Sequence, residues 1–66
     1  MKTFLFSDSD VFQFSIVAST YKGALLKAKH IFGIHVPLRK IAHYGAYQDF
    51  RSSITGYRCT LQQVTH

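Results

Sequence analysis

The chain has no glutamate and only three aspartates, Asp8, Asp10 and Asp49, against eight lysines and arginines, so its 66 residues carry a formal charge of +5. A surface that is merely solvated usually mixes charges of both signs. This one is weighted towards cations, which directs attention to acidic partners. A single cysteine, Cys59, excludes an intramolecular disulfide and suits a reducing compartment, so the expectation is a cytoplasmic protein. The longest uninterrupted apolar runs are three residues, such as Phe4-Leu5-Phe6 and Ala24-Leu25-Leu26, far below the roughly 20 needed to span a bilayer. The opening Met1-Lys2-Thr3-Phe4-Leu5-Phe6 imitates a signal peptide only briefly, because Ser7-Asp8-Ser9-Asp10 ends its apolar stretch. Four scattered glycines, 23, 33, 45 and 56, form no phosphate-cradling loop.

What is present is apolar and aromatic material: 47% hydrophobic and 15% aromatic residues, well above what a disordered tail carries. No linker, repeat or low-complexity stretch interrupts the chain, and residues 1–66 read as one compact domain. A chain of this size buries only about 60% of the surface its unfolded form exposes. A partner subunit is therefore one expected source of added stability, and homodimerisation is an open possibility.

Periodicity divides the chain into elements. Residues 2–7 alternate, then Asp8-Ser9-Asp10 supplies turn chemistry, and Val11 to Ala18 alternates again with Phe12, Phe14, Ile16 and Ala18 on one face. Two such runs around a short polar turn predict a hairpin. Ser19-Thr20 offers a helix N-cap, and Tyr21, Ala24, Leu25, Ala28, Ile31 and Phe32 then recur at helical spacing. Gly33 suits the left-handed position that ends a helix. Pro37 makes Ile34 to Leu38 an edge or a connection. Residues 39–47 read as a strand or, with Pro37 in its first turn and Gly45 behind, a short helix. Residues 48–56, with Asp49, Ser52, Ser53 and Gly56, read as a loop, and residues 57–64 as a final strand. The expected fold is α+β: ββαββ, an antiparallel sheet of about four strands with one amphipathic helix, about 21–32, packed on one face.

The charge is unevenly distributed along that frame. Residues 1–21 hold Lys2 against Asp8 and Asp10, a net −1, whereas residues 22–66 hold seven basic side chains against Asp49, a net +6. Lys22 and Lys29 lie seven apart and share a helix face with Leu26 between them. Arg39, Lys40, Arg51 and Arg58 follow, and arginine matters here because its guanidinium contacts phosphates in bidentate fashion and stacks on bases. Tyr44 and Tyr47 sit among those arginines, as does Tyr57, the mixture of cations and aromatic rings that single-stranded nucleic acids need. The candidate binding residues are accordingly Lys22, Lys29, Arg39, Lys40, Arg51, Arg58, Tyr44 and Tyr47.

Other chemistry is poorly supplied. His30, His35 and His43 lack the spacing of a metal motif, and one cysteine does not complete a zinc set. An acid–base pairing such as His43 with Asp49 is conceivable, and histidine with arginine and lysine can also support nuclease chemistry. A 66-residue chain also leaves little room for a water-excluding pocket. Apolar residues exceed what one helix on one sheet face can hide, and Leu5, Val11, Val17 and Leu26 are the candidate interface residues. The sequence thus points to a non-enzymatic binding module, without cofactor or metal, that engages an acidic macromolecule through its basic helix face and C-terminal half. Nucleic acid is the first candidate. The alternative is an adaptor or inhibitor that docks a protein through a sheet edge or an apolar sheet face.

Overall fold

The structure is a computed structural model and describes residues 1–9 and 11–64, so the expected turn role of Asp10 lies outside the described residues, as does the terminal His66. Five strands and one helix follow in the order β1 (Lys2–Ser7), β2 (Gln13–Ala18), α1 (Tyr21–Phe32), β3 (Arg39–Tyr44), β4 (Tyr47–Arg51) and β5 (Arg58–Gln63). The strands form one antiparallel sheet in the order β2-β1-β5-β4-β3. The class is α+β as expected. The arrangement is ββαβββ, and the expected four strands become five.

The additional strand comes from the segment read as a loop. Tyr44 pairs with Tyr47 around a two-residue connection, Gly45-Ala46, and Gly45 takes φ +56° while Ala46 stays at negative φ. Positive φ at the first central position alone is the type II′ pattern, whose twist matches that of the flanking strands. Residues 39–44 are therefore a strand and not a short helix. Beyond the turn, Gln48 and Phe50 are buried while Tyr47 and Arg51 stay exposed, the period-2 pattern of a strand with one covered face. The true loop is only 52–57. It is organised by the fully buried Ser52, whose Oγ accepts from the N–H groups of Ile54 and Thr55, both at 3.2 Å.

The helix forms where its caps predict. Thr20 is extended and its Oγ1 accepts from the Gly23 N–H at 3.0 Å. Gly33 closes the helix at φ 64°, ψ 34°, with its N–H donated to the Lys29 carbonyl. Ala24 and Ala28 are fully buried, so two methyl groups form the line on which the helix approaches the sheet. Phe32 stacks on Phe6 at 5.2 Å and meets Phe12 and Phe14 edge-on. Ile31, expected on the packed face, is half-exposed. The core between helix and sheet comprises Phe4, Phe6, Ile16, Ala18, Ala24, Ala28, Phe50, Cys59 and Leu61. Ile34 and Leu38, from the connection around Pro37, pack against it.

Side-chain hydroxyls tie the elements together. The Tyr21 O–H donates to the Ala46 carbonyl at 2.6 Å, and its ring meets Phe4 edge-on at 4.8 Å, which fastens the β3–β4 turn to the start of the helix. The Tyr57 O–H donates to the Asp8 carboxylate at 3.1 Å, joining the start of β5 to the first hairpin.

Candidate functional site

Because paired residues in a sheet point to the same face, the strand register determines what the uncovered side displays. Helix α1 packs over β2, β1 and β5 on the side of Phe4, Phe6 and Leu61. The opposite face is open. One row across it reads Arg58, Arg51, Arg39 on β5, β4 and β3, each arginine directly across from the next. The next row holds Gln13, Ser7, Thr60, Asp49 and Ala42. A third holds Ser15, Leu5, Gln62, Tyr47 and Tyr44, so the two tyrosines stand side by side. With strands about 4.8 Å apart, the three arginines line up over a span of about 10 Å.

Like charges directly opposite one another in a sheet are unfavourable. All three arginines are exposed, and no described residue forms an ion pair with them. Two hollows flank the row. One, of about 420 Å³, is lined by Arg39, Lys40, Ile41, Arg51 and Ser53. The strand bulges between Lys40 and Ala42, and Lys40 reaches this hollow although its register partner, Phe50, lies on the helix side. The other, of about 450 Å³, has Ser7, Gln13, Tyr47, Asp49, Arg58 and Thr60 among its lining residues.

No protein-family model, curated protein or solved structure matches this chain. Its function must be read from its own surface.

Six of the eight candidate binding residues come together on β3, β4 and β5: Arg39, Lys40, Arg51, Arg58, Tyr44 and Tyr47. Lys22 and Lys29 do not join them. They lie on the helix, on the other side of the sheet, with Lys22 exposed and Lys29 half-buried. Lys27 is engaged locally, its ammonium donating to the Val17 carbonyl at the β2 edge.

The candidate interface residues are spread over three places. Val17 is exposed and Leu5 half-buried on the open face, Leu26 is exposed on the helix, and Val11 is exposed in the connection before β2 begins at Gln13. Val11 therefore does not share a strand face with Val17, because turn geometry holds the chain to Phe12, whose N–H donates to the Ser9 Oγ. The middle rows of the open face are polar, so the apolar surplus is not gathered there into one patch.

His43 and Asp49 stand on opposite faces. His43 pairs with Gln48 on the helix side and its Nε2 lies 2.9 Å from the Gly45 carbonyl oxygen, whereas Asp49 pairs with Thr60 and Ala42 on the open side. The acid–base pairing considered from sequence is overturned by this register. Among the described residues no three histidine, cysteine or acidic side chains gather into a metal-holding group. Among them, too, no helix is long and apolar enough to cross a membrane. The Cys59 thiol is buried beside Phe50, and burial, reinforced by the negative charges of Asp8 and Asp49, pushes its pKa up to about 12. A thiol held protonated in this way is a poor nucleophile. Sequence reasoning overlooked the polar row of Gln13, Ser7, Thr60 and Asp49. Reading residues 47–51 as a strand would have placed Tyr47, Asp49 and Arg51 together.

Proposed function

We propose that the protein is a non-enzymatic binding module for single-stranded nucleic acid, and that its open sheet face is the binding surface. The observation that carries this reading is the row of Arg39, Arg51 and Arg58 beside the Tyr44–Tyr47 pair. Three guanidinium groups in register, with no ion-pair partner among the described residues, cost the free fold stability, and a chain of phosphates relieves that repulsion while releasing counterions. Lys40 adds a fourth cation at the edge of the row. Tyrosine rings two rows away offer platforms on which unstacked bases rest. An uncovered sheet face suits a flexible single strand better than a rigid duplex, whose major groove takes a helix or a narrow ribbon.

The protein-docking alternative has less support. The β3 edge carries a bulge and is preceded by Pro37, both devices that discourage strand addition, and at the other edge, β2, the Lys27 ammonium already occupies the Val17 carbonyl. Salt titration of binding to a single-stranded oligonucleotide tests the reading. Four phosphate contacts give a log–log slope of about −3, and Arg51→Ala and Arg58→Ala each lower its magnitude by about 0.7. Absence of binding at low salt, despite the +5 charge, refutes it.

A further inference from the structure

Asp49 is out of keeping with a surface built to attract phosphate. Among the described residues it is the one acidic strand residue on the open face, and it stands between Tyr47 and Arg51 along β4. Its carboxylate is half-buried and takes no hydrogen bond from any described residue. Asp8, by contrast, already accepts from the Tyr57 hydroxyl. Asp49 lines a hollow of about 450 Å³, a volume within the range of small-ligand sites, with Tyr47, Arg58, Gln13 and Thr60; Asp8 lines it as well, so of its two carboxylates Asp49 is the one that no described residue engages.

We propose that Asp49 selects guanine among the bases of a bound single strand. This rests on the nucleic-acid reading above and adds base preference to it. An ionised carboxylate is an acceptor only, with two oxygens that favour two adjacent donors. The Watson–Crick edge of guanine presents such a pair, its N1–H and N2–H₂. Adenine and cytosine each place an acceptor beside their single donor group, and uracil and thymine flank theirs with carbonyls, so a carboxylate meets repulsion there. The neighbours complete the site. Tyr47 lies two residues along the same strand and face, about 6.6 Å away, within reach of a base stacked upon it. Arg51 and Arg58, on the other side of Asp49, take the adjoining phosphates. Gln13, whose side-chain amide carries two N–H donors, faces the remaining guanine acceptors, while the Thr60 hydroxyl is already turned to the Ser7 carbonyl.

The competing account gives Asp49 the sole task of offsetting the arginine charges. The two accounts diverge for Asp49→Asn, a nearly isosteric change, provided that its unfolding midpoint and circular dichroism match the wild type. The measurement is fluorescence anisotropy at fixed salt. It uses a labelled 12-nucleotide single-stranded DNA of mixed A and T with two isolated guanosines, and the same strand with adenosine or inosine at those two positions. A bidentate contact makes the wild type bind the guanosine strand about tenfold more tightly than the adenosine strand. Inosine, which lacks the N2 amino group, falls between. Asp49→Asn abolishes the preference while binding the adenosine strand at least as well as the wild type does. Equal binding of all three strands by the wild type overturns base selection and leaves the binding function intact. A uniform gain on all three strands in Asp49→Asn assigns Asp49 to charge balance and overturns it likewise. Failure to bind any strand at low salt overturns both proposals.

Discussion

Arg51 faces Arg58 across the β4–β5 ladder, two cations at a pair of positions where a sheet gains from opposite charges. Arg39 continues the row on the far side of Arg51. The free protein therefore holds electrostatic strain at the place where an anion is expected.

That strain is measurable without any ligand. Arg51→Thr, which keeps a residue suited to strands, is expected to raise the stability of the free fold by about 0.5 kcal/mol. Added sodium chloride should stabilise the wild type and have less effect on the variant, since screening relieves the repulsion. Urea unfolding at low and high salt reads both. A loss of stability in Arg51→Thr would mean that the row contributes packing that outweighs its repulsion.

The ends of α1 should be sensitive to small changes. Thr20→Ala removes the acceptor for the Gly23 N–H and is expected to cost about 1 kcal/mol. Gly33→Ala places a side chain at φ 64° and should cost a similar amount, about 1 kcal/mol. In so small a domain either change lowers the thermal midpoint by about 4–8 °C. Thermal unfolding followed by circular dichroism tests them.

Tyr21→Phe keeps the ring against Phe4 and deletes the hydrogen bond to the Ala46 carbonyl. The expected loss is about 1 kcal/mol at most, because the bond lies at the surface. The more telling readout is local. Amide exchange in the β3–β4 hairpin should accelerate relative to β1 and β5, as this bond fastens the hairpin's turn to the helix. Uniform acceleration across the sheet would contradict that role.

Stability should fall on the alkaline side. Burial raises the Cys59 pKa from its ordinary 9.0 to about 12, and the Tyr57 phenol is also pushed above its usual range, by burial first and then by the hydrogen bond and charge of Asp8. Between about pH 9 and pH 12 the unfolded chain thus releases a proton that the folded chain retains, so stability declines as pH rises. The urea midpoint should be lower at about pH 10.5 than at about pH 8, and Cys59→Ala should flatten the difference. For the same reason, a thiol reagent at neutral pH should label Cys59 slowly in the native protein and rapidly in denaturant.

The first hairpin and the helix were legible in sequence because local chemistry marked their limits. Phe4 and Phe6 alternate with polar or smaller neighbours, Thr20 caps, Ala24 and Ala28 recur at helical spacing, and Gly33 stops the helix. The second hairpin was concealed. Gln48, Asp49 and Ser52 have the composition of a loop, and nothing local distinguishes a buried glutamine in a strand from a solvated one. Its pairing with Leu61, distant in the chain, is what makes Gln48 a strand residue.

Composition and residue order together determined that this would be a small, cationic α+β domain, because the lack of glutamate and the two hydrophobic periodicities are properties of the chain itself. It did not determine where the cations would meet. Lys22 and Lys29 were as prominent in sequence as Arg39, Arg51 and Arg58, yet the helix carries the lysines to one side of the sheet and the strand register places the arginines on the other. That separation follows from side chains alternating across a pleated strand, so it was decided only when the long-range pairing of β5 with β1 and β4 set the register.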